Sequence, residues 1–329
     1  MIRRGLLAAG GAVISIASLD VLTRRAARRL LDAPRILPEE VGLRPALDAL
    51  GGEVVRVRAR DGLRLSGRWL EGELGDPDWQ LDPHEAIVLL HGWSGSVAPH
   101  LLEYGPFLRR TAGVLGLDSR GHGDSEDSPT TFGLREVEDV AGALSWLGER
   151  GVERVALVGM SMGGITAIAS VALLGDGRPA GTDVDTAAPA HVSAPRRPRI
   201  VAVVADSVSP DLPAVAVSRI PGPARRIVAE RLFGSVARML GGDPRATEPI
   251  RVIGLLEGVP LLLISGDDDP IVTPAGARRL AAAAPPGAEH WAVPGAGHRQ
   301  AHRTEPVEYE ARTTRHMRTA FLGAREADL

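Results

Sequence analysis

Val155-Ala156-Leu157-Val158-Gly159-Met160-Ser161-Met162-Gly163-Gly164 leads from a branched apolar stretch through Gly-x-Ser-x-Gly into a second apolar run, Ile165 to Leu174. A buried strand ending at Val158, a sharp turn and a helix starting at Met162 account for that order. Ser161 sits at the apex. Gly159 and Gly163 flank it because side chains there would clash with neighbouring backbone. Such a turn lifts the Ser161 hydroxyl out of the sheet. It also puts the Met162 N–H at a helix N-terminus, where unpaired amides and the dipole favour a developing negative charge. That is the geometry of a nucleophile elbow. The bland alternative is a Gly-rich strand–helix turn with no chemistry, and the rest of the chain bears on the choice.

The chain has 329 residues, 44% hydrophobic and 24% charged, with a formal net charge of −3. That suits one large α/β domain with additions. The near-neutral balance gives no case for nucleic-acid binding. There is no Cys, which excludes disulfides, thiolate metal sites and Cys nucleophiles. There is no Lys, so all 38 basic residues are Arg. Ser–Lys dyads, Schiff-base chemistry and a P-loop lysine are excluded, and a base for Ser161 must be His or a carboxylate.

Residues 1–31 hold a hydrophobic leader. Gly5 to Leu19 is almost wholly apolar, Arg3 and Arg4 precede it, and Arg24, Arg25, Arg28 and Arg29 follow. The run is shorter than the ~20 residues a spanning helix needs, and stretches further only past Asp20 to Leu22. The flanking arginines favour a membrane anchor through residues 5–22, with the catalytic domain on the cytoplasmic side. The alternatives are a signal peptide cleaved after Ser15-Ile16-Ala17, giving a secreted protein, or a helix packed on a cytoplasmic domain. Residues 32–52, with Pro34, Pro38 and Pro45, read as a linker, so deletion of the leader should leave a soluble, active domain.

The domain itself spans 53–325. Two alternating runs, Glu53 to Arg60 and Leu63 to Leu70, flank Asp61-Gly62 and predict an antiparallel hairpin at a sheet edge. Buried strands follow at Ala86 to Leu90, Gly113 to Leu117, Arg154 to Val158, Ile200 to Ala205, Val259 to Ser265 and Glu289 to Val293. Helices alternate with them. Residues 175–199, rich in Gly, Asp, Pro, Ala and Thr, read as a disordered insertion. Residues 209–249, with Pro210, Pro213, Pro221 and Pro223 and a basic helix, read as a small cap. Strands alternating with helices imply a mostly parallel sheet covered on both faces, with active groups at the carboxyl ends of the strands. Three loops there carry the chemistry: Ser161, then Gly266-Asp267-Asp268-Asp269, then Gly295-Ala296-Gly297-His298. Asp206 ends a neighbouring strand and is the rival acid. His91, before a loop Gly, reads as a brace for that loop, and His122 reads as structural.

Five stretches carry a resemblance: His-Gly-Trp at 91–93, Asp-Ser-Arg-Gly-His-Gly-Asp-Ser at 118–125, Gly-Met-Ser-Met-Gly-Gly at 159–164, Gly-Asp-Asp-Asp-Pro-Ile-Val at 266–272 and Gly-Ala-Gly-His at 295–298. The chain resembles the α/β-hydrolase superfamily over about residues 53 to 322, and looks most like its serine-aminopeptidase-like and Bem46-like branches. The resemblance implies the α/β-hydrolase fold, with Ser161 as nucleophile, Asp269 as triad acid and His298 as base. It implies backbone oxyanion donors at Trp93 and Met162, and no cofactor or metal. It implies a serine acyl hydrolase, a carboxylesterase taking a small-molecule ester or acyl substrate through an acyl-enzyme. Peptidase, thioesterase, lipase and acyltransferase chemistry stay open on the same core. So does a catalytically inactive, membrane-linked binding protein, although that reading expects a lost triad residue type and none is lost.

Overall fold

The computed structural model describes residues 20–174, 197–218, 220 and 223–329. The leader up to residue 19 and most of the expected insertion, 175–196, lie outside the described residues. Eight strands form one sheet: β1 (Glu53–Arg58), β2 (Arg64–Leu70), β3 (Glu85–Leu90), β4 (Gly113–Leu117), β5 (Arg154–Met160), β6 (Arg199–Asp206), β7 (Leu261–Gly266) and β8 (Glu289–Val293). Their order is β1-β2-β4-β3-β5-β6-β7-β8. The β1–β2 and β2–β4 pairs are antiparallel and every other pair is parallel. Composition explains the division. In β1, Val55 and Val57 are buried while Val54 faces solvent, the half-solvated pattern of an antiparallel edge. Every residue of β3, β4, β5 and β7 is buried, as parallel strands covered on both faces must be.

The helices are α1 (20–31), followed by α2 (Arg44–Leu50), α3 (Ala98–Leu108), α4 (Glu136–Gly148), α5 (Met162–Leu174), α6 (Leu212–Val217), α7 (Arg225–Leu240), α8 (Pro249–Val252), α9 (Pro274–Ala283), α10 (Ala301–Thr304) and α11 (Pro306–Ala327). They lie on both sheet faces, and successive strand residues feed opposite cores. Val88 packs with Val140, Leu144 and Ile168 of α4 and α5. Ile87 and Leu89 pack with Leu101, Tyr309 and Phe321 of α3 and α11. Helix α11 runs past the expected Leu322 to Ala327, where Arg325 binds both oxygens of Glu85.

Residues 32–52 depart from the linker reading. Their prolines fix turns instead of loosening a tether. Pro38–Glu40 forms a 3-10 turn and α2 follows. The Pro34 carbonyl accepts the Gly95 N–H at 2.7 Å, and the Arg35 carbonyl accepts Gly123 N–H at 2.9 Å. Glu40 accepts the Ser96 and Leu37 amides. Helix α1 is bound in as well: Ala27 and Leu31 join the main core, and the Leu30 carbonyl accepts the Trp93 indole N–H at 3.0 Å. Among the described residues no helix is long and apolar enough to cross a membrane.

Helices α6, α7 and α8 stand between β6 and β7, where the cap was expected. Phe233 of α7 meets Phe132 edge-on at 6.1 Å, and Arg135 donates to the Leu240 carbonyl. These contacts seat the helices on the loop that follows β4.

Candidate active site

Ser161 lies between β5 and α5 with φ 54°, left-handed for a residue with a β-carbon. The glycines around it are steric requirements. A β-carbon on Gly159 would stand 2.6 Å from the Gly164 nitrogen, and one on Gly163 2.6 Å from the Leu90 carbonyl carbon and 2.7 Å from the His91 oxygen. Backbone at both contacts leaves no side chain to swing away. The turn therefore exists because α5 starts flush against the ends of β5 and β3.

Asp269 and His298 arrive on the loops after β7 and β8. A β-carbon on Gly266 would stand 2.6 Å from the Ala296 carbonyl carbon, so glycine there lets the two loops touch. Asp267 and Asp268 donate their amides to Val293 and Ala296 at 3.0 Å, and both residues are exposed. Asp269 turns inward. Its Oδ1 accepts the Ile271 and Val272 amides at 2.7 and 2.9 Å, and its Oδ2 lies 2.8 Å from His298 Nδ1. The Asp269 side chain is fully shielded and that of His298 is 17% exposed. His298 Nε2 lies 3.1 Å from Ser161 Oγ. A carboxylate on Nδ1 keeps the proton there, which leaves the Nε2 lone pair facing the hydroxyl. The three residues singled out by sequence thus meet in one chain of hydrogen bonds.

Asp206, the rival acid, does not bond His298. Its Oδ1 accepts the Ser207 hydroxyl at 2.8 Å and its Oδ2 accepts the Tyr309 hydroxyl at 3.2 Å. Burial pushes its carboxyl up to about 6, against the pull of those two hydroxyls and of His298.

Trp93 lies in the loop after β3, and Met162 is the first residue of α5, whose first-turn amides have no acceptor within the helix. The β3 loop is braced from below. His91 uses Nδ1 on the Gly92 carbonyl at 2.7 Å and accepts the Ser119 amide on Nε2 at 3.0 Å. His122 uses Nδ1 on the Arg120 carbonyl at 2.8 Å and accepts the Ser94 amide on Nε2 at 3.2 Å. Burial holds both imidazoles below the usual histidine range, His91 far below it. Each therefore stays neutral, donating on one nitrogen and accepting on the other. Sequence reasoning missed Ser207, Tyr309 and Arg299, which surround the triad. No local pattern marks them: Tyr309 reaches Asp206 from the last helix.

A groove of about 880 Å³ opens at the amino ends of the strands, bordered by Leu174, Arg197, Ile200, Pro260 and His316. It is at the opposite end of the sheet from Ser161, and none of the residues above lines it.

Residues 87–312 match a family described as the alpha/beta hydrolase family. An uncharacterized protein, YfhR of Salmonella typhimurium, is 29% identical over 124 residues, 36% of this chain and 40% of YfhR. YfhR of Escherichia coli O157:H7 is 26% identical over 230 residues, 68% of this chain and 66% of that protein. The chain thus spans less than two thirds of the length of these curated relatives. The solved structure of an esterase from Pyrococcus furiosus superposes with a TM-score of 0.60 at 20% identity, covering 89% of this chain and 98% of that one. At that identity the likeness is one of fold.

Proposed function

The chain belongs to the alpha/beta hydrolase family, and from that premise we propose that it is a serine carboxylesterase working through an acyl-enzyme. The observation that carries the reading is the chain Ser161 Oγ, His298 Nε2, His298 Nδ1, Asp269 Oδ2, at 3.1 Å and 2.8 Å. His298 takes the Ser161 proton as Oγ bonds to the ester carbonyl carbon. Asp269 stabilises the resulting imidazolium and keeps the ring from flipping. The Trp93 and Met162 amides hold the oxyanion, each worth ~10²–10³ in rate. The tetrahedral adduct then collapses: the carbon–alkoxy bond breaks and the leaving alcohol takes the proton from His298. Water repeats the sequence on the acyl-enzyme, with His298 as base, and releases the acid.

Ester substrates suit the fold relative from Pyrococcus furiosus, which is named an esterase. Helices α6 and α7 stand over the loop after β4, and in this reading they shape the acyl pocket. Residues 5–22 hold the protein at a membrane, with the catalytic domain on the cytoplasmic side.

A fluorophosphonate probe tests the chemistry. It should label the wild type and leave a folded Ser161→Ala variant unlabelled; label on that variant refutes Ser161 as nucleophile. Asp269→Asn should lose ~10³–10⁴ in kcat, the penalty of a wrong histidine tautomer. A greater loss in Asp206→Asn would reverse the assignment of the acid. Graded p-nitrophenyl esters beside aminoacyl anilides decide ester against peptide chemistry.

A further inference from the structure

Of the residues with side chains that hold left-handed backbone, three lie beside Ser161 and His298: Ser161 itself at φ 54°, Ser207 at 56° and Arg299 at 57°. Each such residue costs on the order of 1–3 kcal/mol and persists only where its surroundings fix it. Here one short run of hydrogen bonds fixes all three. The Asp206 carbonyl accepts the Ser161 amide at 2.8 Å. The Ser207 hydroxyl donates to Asp206 Oδ1 at 2.8 Å and accepts the Arg299 amide at 2.9 Å. The Ser207 amide is itself tied to the Ile264 carbonyl at 2.9 Å. Tyr309, fully buried, holds the other Asp206 oxygen.

The turn at Arg299 has a further effect. It sends the guanidinium under the β3 loop, where Nη1 lies 3.1 Å from the place a β-carbon on Gly92 would take. Gly92 directly precedes Trp93. So the loop with Ser161 and the loop with His298 both bond residues 206 and 207, and Arg299, held by Ser207, lies against the loop with Trp93. The Ser207 hydroxyl links the buried Asp206 carboxyl to the amide of the residue after His298, while the Asp206 carbonyl, at the end of the β5–β6 ladder, holds the Ser161 amide.

Resting on the reading of Ser161 as nucleophile and His298 as base, we propose that Asp206 and Ser207 are positioning residues of the triad. They touch no reacting atom. They fix the height of the His298 loop against the elbow, and so the Nε2-to-Oγ distance.

The test uses the full chain with Ser207→Gly. Glycine adopts φ 56° without strain, so the variant keeps its fold while losing the hydroxyl. Expected is a 10- to 100-fold drop in kcat for p-nitrophenyl acetate with KM within twofold, and a parallel drop in the rate of fluorophosphonate labelling. The thermal midpoint should fall by only a few degrees, because Asp206 Oδ1 and the Arg299 amide lose one shared partner while the fold is kept. Asp206→Asn, which keeps an acceptor but loses the charge, should show the same split to a smaller extent. A folded Ser207→Gly protein with wild-type kcat and labelling rate overturns the proposal, as does a loss confined to KM. If the wild type itself fails to react with the probe, the nucleophile reading falls first and the positioning role falls with it. A wild type that labels beside a Ser207→Gly that labels equally fast removes the positioning role alone.

Discussion

Gly163→Ala adds one methyl group where α5 meets β3. The new carbon would stand 2.6 Å from the Leu90 carbonyl carbon and 2.7 Å from the His91 oxygen, against 3.4 Å or more for ordinary contact. The Leu90 carbonyl oxygen is nearer still, so helix and strand must separate by more than about 1 Å, and every obstacle is backbone. Overpacking of this kind costs ~1–3 kcal/mol. The separation also moves Met162 and Ser161 away from the 91–93 loop, so in the proposed mechanism one oxyanion amide would lose its alignment, a term of ~10²–10³ in rate. The expectation is a folded enzyme with kcat down ~100-fold and KM little changed, read with p-nitrophenyl acetate. Urea unfolding should give a stability loss in the range above. Gly234→Ala in α7 is the control: its nearest neighbour is Arg238 Nη1 at 3.7 Å, so the change should add ~0.5–1 kcal/mol and leave kcat alone. A Gly163→Ala protein with wild-type stability and kcat within twofold would refute the steric account of the elbow.

Arg120 is 1% exposed and binds Asp139 and Asp61. Asp139→Ala strands much of that charge and should cost ~3–5 kcal/mol in urea unfolding, with Asp61→Ala costing less because Asp61 is 39% exposed; equal losses would contradict this. Burial lifts the Asp206 carboxyl from 3.8 to about 6, so the folded state holds that proton more tightly than the unfolded chain. Its contribution is fully present below pH 3.8 and lost as pH rises through 6, on the order of 3 kcal/mol. Asp206→Asn should therefore gain ~2–3 kcal/mol relative to wild type between pH 4 and pH 7, and parallel stability profiles would refute the shift. Deleting residues 1–31 removes Ala27 and Leu31 from the core and the acceptors for Trp93 and Thr130. The expected loss is ~3–5 kcal/mol with reduced activity, and an unchanged urea midpoint would restore the linker reading.

What local chemistry determines could be read from the chain. Branched apolar runs marked the buried strands, and Asp61-Gly62 marked the hairpin. The Gly-x-Ser-x-Gly stretch revealed the elbow because its glycines answer to neighbours one turn away. Asp269 was set apart from Asp267 and Asp268 only by the resemblance to the family, and the loop contact allowed by Gly266 explains why only one of the three turns inward. The misreadings share a cause. Pro34, Pro38 and Pro45 look alike in a tether and in a docked turn, because the difference lies in Ser96, Gly95 and Gly123, far along the chain. Asp206 stayed a rival to the favoured Asp269 because its strand ends beside Ser161. The engagement of its oxygens by Ser207 and by Tyr309 of α11 is visible only in the packed structure.

The bond from the Trp93 indole to the Leu30 carbonyl also sets a reach. Helix α1 is stiff and rises ~1.5 Å per residue, so Asp20 stands about 17 Å along its axis from Leu31. A flexible leash of the same residues would let the catalytic centre roam; a docked rod does not. If residues 5–22 hold the protein at a membrane, as proposed above, this rod keeps the β3 loop within about two nanometres of the attachment, and substrate in that thin layer rather than in the bulk would govern turnover.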